Sequence, residues 1–442
     1  MERPKTLPDV FCTAPWTHTY VSPQGERRLC CASREDASFQ RQYIDADTGT
    51  KTDTFDPDTL DEHWNSEYMK DIRRRILAGE KISQCQVCND QLLNLHTYRN
   101  YFTNTLFPHY IDKIYESTDE SGHTTMDPIS FDYRLSNRCD FKCRMCGEQL
   151  SSSWEAEKRK HNMWNPEYDK WMAPELRIPI KEFQENVLED ELQRAVDNKT
   201  VEELYWVGGE PLMWDKHWTV MQQLVDSGHS RNVVVRYNTN LNRISRKSSQ
   251  LYELLPYFKR VNLCASIDGP GAIGEYIRSG LKWDKWLDNF KQGLFLRDMF
   301  GDDAIVFDVT LTMPGLFSLK DMFDLAIELD VKSYFKITFS FDSTVLMSPM
   351  SLPRNILDDI IDNLLEYMEP RATRKTQVYI ETLKEMKNRP VFEEQYDNYK
   401  AGFAEGRKRL LDLERIRKQP IIMEEILSVN QDALDWWNQE IK

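Results

Sequence analysis

Nowhere does the chain hold the roughly 20 consecutive apolar residues that span a bilayer, and its opening residues, Met-Glu-Arg-Pro-Lys-Thr-Leu-Pro, lack the apolar core of a secretory signal. No membrane association is expected, and the expected location is the cytoplasm. Positive charge is also short: 57 Lys and Arg face 72 Asp and Glu, a formal net charge of −15. A chain of that sign is poorly suited to neutralising many phosphates, so nucleic acid is not an expected partner. Histidines number only eight. Among them His18, His96 and His217 could line a site, but no pair has metal-ligand spacing, and a satisfied surface or core histidine is the expectation for each. There is no internal repeat and no low-complexity tract. What remains is a globular chain of 442 residues with 40% hydrophobic content, long enough for a substantial core in two or three domains.

What the chain does have is clustered cysteine. Of nine cysteines, eight lie in short groups: Cys12, the pair Cys30 and Cys31, the pair Cys85 and Cys88, and the trio Cys139, Cys143 and Cys146, with Cys264 apart. In a reducing compartment such groups are more often metal ligands than disulfides. The trio falls inside one octapeptide, and three ligands are one too few for a closed tetrahedral zinc or a fully protein-ligated iron-sulfur cluster. Three thiolates on one tight loop would leave a coordination position open. Read by itself, the trio could also be part of a zinc site completed by Glu148 or His161.

From residue 129 onward, β-branched and aromatic runs alternate with longer amphipathic segments, the pattern of βα units. Strands are expected at 129–135, 203–207, 233–239, 261–267, 305–312 and 334–339, with helices such as 216–226, 283–299 and 319–329 between them. The stretch 151–200 is too long for one connecting helix and should hold an insertion. Several chemically suggestive residues stand just past the carboxyl ends of these strands: the trio, Gly208-Gly209-Glu210-Pro211, Asn240 and Asp268. In parallel α/β architectures that rim is where ligands bind. The stretch 1–125 is polar and turn-rich, with Ser22-Pro23-Gln24-Gly25 as a tight turn between short strands and a helix over 62–78 ending at Gly79. It is expected to have little core of its own and to close around a metal instead. Beyond about residue 350 the chain is charged and helical, with Pro353, Pro390 and Pro420 as breaks. The expected division is therefore 1–125, 126–345 and a helical appendage, 346–442.

The Cys139, Cys143, Cys146 loop, spaced C-x3-C-x2-C, resembles the cluster loop of the radical S-adenosylmethionine superfamily, although Met145 stands where that family usually has an aromatic residue. Gly208-Gly209-Glu210-Pro211 is similar to its GGEP loop, and Thr239-Asn240-Leu241 to its Thr-Asn-Gly, with Leu in place of Gly. The resemblance implies a partial, open (β/α)6 barrel of the TIM type. It implies a 4Fe-4S cluster held by Cys139, Cys143 and Cys146, with S-adenosylmethionine on the fourth iron and bound by Gly208, Gly209, Glu210, Pro211, Asn240, Ser266 and Asp268. Arg278, in Tyr-Ile-Arg-Ser-Gly, resembles a further family element, and a surface charge explains it equally well. Ser266 and Asp268, two apart, share a face at a strand end, which is also the pattern of a simple strand-terminating turn. Cys264 shares that face and is expected to be a buried structural thiol.

Cys12, Gly25, Cys30 and the pair Cys85 and Cys88 resemble the auxiliary-cluster pattern of SPASM and twitch domains, here placed ahead of the barrel. This implies a second, four-cysteine 4Fe-4S cluster on Cys12, Cys30, Cys85 and Cys88; structural zinc is the competing occupant. Cys31 could replace Cys30, but the glycine spacing favours Cys30. The implied activity is reductive cleavage of S-adenosylmethionine to a radical that abstracts hydrogen from a peptide, protein or small metabolite. The implied electron donor is of the flavodoxin or ferredoxin kind. A non-catalytic iron-sulfur electron carrier and a zinc-stabilised interaction scaffold are the rival classes.

Overall fold

The computed structural model describes residues 3–33, 57–90, 97–165, 172–338, 347–419 and 421–439. His96, Phe339 and Pro420 lie outside the described residues. The fold is α/β with a mostly parallel sheet, and the chain forms two compact units. The first comprises residues 1–138, 155–236 and 257–259; the second comprises 139–154, 237–256 and 260–442.

In the first unit the expected turn is a hairpin. His18–Val21 runs antiparallel to Arg27–Arg28, with Tyr20 opposite Arg28. The Gly25 N–H donates to Ser22 O at 2.9 Å, and Gly25 has φ 79°, a left-handed conformation that glycine adopts without a Cβ penalty. His18–Val21 also pairs, in parallel, with Ser130–Tyr133, placing His18 opposite Ser130. Ser130–Tyr133 in turn pairs in parallel with Glu203–Trp206, and the order continues to Val234–Thr239. The helix expected over 62–78 is two helices, Leu60–Trp64 and Glu67–Leu77, because the Ser66 side chain caps the second by accepting from Met69 N at 3.3 Å.

The amino-terminal stretch has a core after all, which corrects the expectation that metal would replace it. Phe11, Trp16, Leu29, Met69, Ile72, Ile76, Ile82, Ile114 and Met126 form one buried cluster. Met69, Ile72 and Ile76 recur at helical spacing and so face it together. Trp16 Nε1 donates to Thr118 Oγ1 at 2.8 Å, which satisfies the one polar atom of a fully buried ring.

In the second unit the strand order runs Arg260–Ser266, Ile305–Leu311, Ser333–Ile337. Both pairings are parallel, with Ile305 opposite Leu263 and Phe307 opposite Ser333. Each of the six runs expected as strands from 129 onward is a strand in the fold. The helix expected over 283–299 breaks at Gly293 into Trp283–Gln292 and Leu296–Phe300. Trp286 and Phe290 from the first of these pack on Phe307, with ring centroids 5.9 and 4.7 Å away. The later helices belong to the same unit: Tyr379 packs its ring on Phe335, and its hydroxyl lies 2.9 Å from Ser333 Oγ.

Candidate iron-sulfur and cofactor sites

The trio sits in the second unit on a loop held mainly through its backbone. Cys139 N–H donates to Ser152 Oγ at 3.2 Å, and Ser153 Oγ donates to Cys139 O at 2.8 Å. Trp154 Nε1 donates to Cys143 O at 2.7 Å, and Cys146 N–H to Cys143 O at 3.1 Å, which turns the last two cysteines toward each other. Lys142–Cys143 pairs antiparallel with Arg278–Ser279, so that Cys143 lies opposite Arg278. The Arg278 guanidinium reaches Cys143 Sγ at 3.9 Å. All three cysteines are half-buried. Burial above all raises the Cys143 thiol, against the pull of Arg278, and burial together with neighbouring Cys143 pushes Cys146 up to about 12. Thiols so placed become good thiolates only when a metal supplies compensating positive charge.

Asn240 and Asp268 take up positions beside this loop. Asn240 Nδ2 donates to Asp140 Oδ1 at 2.8 Å and stands 3.9 Å from Cys139 Sγ. Asn242 Nδ2 donates to the other Asp140 oxygen, also at 2.8 Å. Leu241, where the resembled motif has glycine, has φ 52° and is buried. A left-handed leucine is strained by about 1–2 kcal/mol; here its N–H donates to Thr239 Oγ1 at 3.0 Å and its O accepts from Asn289 Nδ2 at 2.8 Å. The Asp268 carboxylate is 1% exposed. Its Oδ1 accepts from Arg278 Nη2 at 2.9 Å and from Thr310 N at 2.8 Å, while Oδ2 lies 2.7 Å from Arg278 Nε, off the N–H direction, as an ion pair. Asp268 is thus the anchor of Arg278, and Arg278 is a buried partner of the cysteine loop. Ser266 ends its strand opposite Asp308. Cys264 is buried two residues earlier, and its thiol donates to Asn262 Oδ1 at 3.5 Å.

Gly208 to Pro211 lie in the first unit, following Glu203–Trp206. Gly209 N–H donates to Ser136 O at 3.3 Å and Glu210 N–H to Arg138 O at 2.7 Å. A Cβ on Gly209 would fall 2.4 Å from Arg138 O, and Gly208 has φ 129° with Arg134 and Trp214 at 3.0 and 3.2 Å from any added Cβ. Both positions therefore require glycine, because the 137–138 backbone and the Arg134 and Trp214 side chains already fill the space a Cβ would take. Glu210 is buried, and its Oε1 accepts from Leu212 N at 3.1 Å, capping the short helix Pro211–Met213.

Also within the first unit, one cavity is lined by Cys12, Cys30, Cys85 and Cys88, with Leu29, Ile76 and Phe102 as apolar walls. Cys31 does not line it; burial raises its thiol, with Asp132, Arg134 and Tyr98 as neighbours. Cys85 and Cys88 straddle the start of the helix Gln86–Asn89, three residues apart and so on one side. Burial first, then Cys85, pushes Cys12 up to about 12; burial raises Cys30 likewise. Among the described residues no three His, Cys, Asp or Glu close on one point as ligands of a single ion would. His18 and His217 take the core reading. His18 Nδ1 lies 2.6 Å from Ser130 Oγ, His217 packs between Trp206 and Trp218, and burial lowers each to about 3.

Sequence reasoning missed the ribbon of Lys142–Cys143 with Arg278–Ser279, because two-residue strands leave no periodic signal. It also missed the carboxyl-terminal contacts to that ribbon, described below.

Residues 12–89 match the SPASM family, described as an iron-sulfur cluster-binding domain. The match spans all four cavity-lining cysteines. Among solved structures the chain is similar to Streptococcus suis SuiB, in a crystal structure bound to S-adenosylmethionine, at 14% identity and a TM-score of 0.34. That similarity covers 68% of this chain and 64% of SuiB, so it spans less than two thirds of SuiB. No curated protein matches the chain. No helix among the described residues is long and apolar enough to cross a membrane.

Proposed function

We propose that this protein is a radical S-adenosylmethionine enzyme with an auxiliary iron-sulfur cluster. The observation that carries the reading is the Cys139, Cys143, Cys146 loop, with three half-buried thiols, no fourth cysteine on the loop, and the Arg278 guanidinium 3.9 Å from Cys143 Sγ. These residues suit a 4Fe-4S cluster with one iron left for a cofactor. Reduced, such a cluster supplies the electron that cleaves S-adenosylmethionine to methionine and a 5′-deoxyadenosyl radical able to take hydrogen from a substrate.

The chain's own residues have separable tasks in this reading. Cys139, Cys143 and Cys146 ligate, and Arg278, fixed by Asp268, offsets the negative charge of the ligand set. Gly208 and Gly209, packed against Arg134, Trp214 and the 137–138 backbone, shape the loop assigned to the methionine moiety, with Pro211 and the capped Glu210 setting their turn. Asn240 and Ser266 offer polar groups at strand ends, and Asp268 acts through Arg278. Cys12, Cys30, Cys85 and Cys88 hold the auxiliary cluster. The six strands from Ser130–Tyr133 to Ser333–Ile337 are read as a partial, open (β/α)6 barrel. The acidic charge fits a peptide, protein or small-metabolite substrate better than a nucleic acid; a flavodoxin- or ferredoxin-type donor and a cytoplasmic location complete the reading.

Anaerobic purification followed by iron, sulfide and zinc analysis, then incubation with S-adenosylmethionine and dithionite, tests this. Brown protein carrying sulfide and forming 5′-deoxyadenosine is the expected result. Zinc without sulfide would establish a scaffold, and reducible clusters without 5′-deoxyadenosine would establish an electron carrier.

A further inference from the structure

The residues on either side of Cys143 are both held by the carboxyl-terminal segment of the second unit. Arg417, the last residue of the helix Tyr399–Arg417, donates from Nη1 to Lys142 O at 2.9 Å and to Ser279 Oγ at 3.0 Å. Lys142 and Ser279 are register partners, so one guanidinium ties both strands of the ribbon, one rung from Cys143 and Arg278. The same guanidinium lies 4.3 Å from the ring centroid of Trp154, whose Nε1 donates to Cys143 O. On the other side of Cys143, Arg144 Nη2 donates to Gln419 Oε1 at 2.6 Å, and Gln419 Nε2 donates to Glu275 O at 2.8 Å. Glu414 secures the helix end by accepting from Tyr276 OH at 2.6 Å and from Met423 N at 2.9 Å.

We propose that Arg417 is a positioning residue for the cluster loop: it fixes the rung next to Cys143 and Arg278, and it brings a second guanidinium charge to that ribbon. A two-residue strand pair has too few ladder bonds to hold itself in water, so its geometry comes from what clamps it. A cationic group beside a ligating thiolate stabilises the reduced, more negative cluster, and the effect grows as the site is shielded from solvent. The inference rests on the assignment of the trio as the S-adenosylmethionine cluster site.

The test is a redox titration of the full-length, anaerobically reconstituted protein. It follows by electron paramagnetic resonance the signal that changes when S-adenosylmethionine is added, alongside the rate at which a chelator removes iron. Arg417→Gln is expected to leave the cluster about tenfold less reduced at a fixed poise, ~59 mV for one electron, and to lose iron several-fold faster. Arg417→Lys, which keeps the charge and loses the forked contacts, is expected to recover most of the potential while still losing iron quickly. Arg415→Gln, at a position whose side chain is 75% exposed, is expected to match the unaltered protein in both. Unchanged potential and unchanged iron loss in Arg417→Gln overturn the proposal. Should that variant no longer melt cooperatively, Gln419→Ala replaces it, with several-fold faster iron loss expected and the unaltered rate overturning the role of the segment. An unaltered protein with no signal sensitive to S-adenosylmethionine fails the underlying assignment instead.

Discussion

The two cysteine regions are built in opposite ways. The trio arrives on eight consecutive residues, and its surroundings are polar: serine hydroxyls, the Trp154 indole N–H, Arg278 and Asn240 all contact the loop. The other four thiols come from three separate places in the chain and meet in a cavity walled by Leu29, Ile76 and Phe102, with Arg99 at its edge donating to Cys88 O at 3.5 Å. Polar groups around a cluster raise its potential and hold its ligands in shape, and apolar walls keep solvent away; the trio has mainly the first and the cavity has both. The comparison teaches that the two sites differ less in charge, since each has a guanidinium beside it, than in how the thiols are gathered: from one octapeptide in the first case and from three separate segments in the second.

The largest expected difference between the regions is in activity. Cys146→Ala should bring 5′-deoxyadenosine formation below detection, while Cys88→Ala should leave it intact and remove roughly half of the bound iron. Chromatographic detection of 5′-deoxyadenosine beside an iron assay reads both. Equal losses in the two variants would erase the distinction.

Next in size are two losses of stability. Trp16→Ala should destabilise the first unit by ~3–5 kcal/mol, and chelation of the metal should leave its unfolding cooperative, because an apolar cluster centred on Trp16 already holds this region. Urea titration followed by circular dichroism decides this. A chelated protein without a cooperative transition would restore the view that metal replaces the core. In the second unit, Arg278→Gln leaves the Asp268 carboxylate buried without its ion-pair partner and should destabilise by ~3–5 kcal/mol. Arg278→Lys should lose less. A loss under ~1 kcal/mol in Arg278→Gln would show that the pair is not buried as described.

The smallest effect is a dependence on pH peculiar to the first unit. His18 and His217 are lowered to about 3 by burial from an ordinary 6.5. Between those values the unfolded chain binds more protons than the folded one, so stability rises with pH. The contribution is complete above 6.5 and lost as pH falls toward 3, with a slope of up to ~1.4 kcal/mol per unit for each histidine. His217→Gln should reduce the slope of the urea midpoint between pH 6.5 and 5, and an unaltered slope would place the titration elsewhere.

Legibility in the sequence followed the length of the signal. The run expected at 305–312 and the strand Ile305–Leu311 agree to one residue, as do 216–226 and the helix Asp215–Asp226, because long apolar or amphipathic runs dictate their own burial. Glycines at 208 and 209 were legible as a turn, but the 2.4 Å approach that excludes any side chain at 209 is tertiary. The amino-terminal core was hidden because Phe11, Trp16, Leu29 and Ile114 lie in short apolar groups far apart in sequence, brought together only by the fold. The anchoring of Arg278 by Asp268 was hidden for the same reason, and the clamp of Arg417 on Lys142 joins residues 275 positions apart.

The central claim is that Cys139, Cys143 and Cys146 hold a cluster with a position open to S-adenosylmethionine. The most direct test uses Cys88→Ala, in which the trio is the remaining cluster site, reduced with dithionite and examined by electron paramagnetic resonance with and without S-adenosylmethionine. A reduced-cluster signal whose g values shift on addition is the predicted result; a signal identical in both samples would contradict the claim.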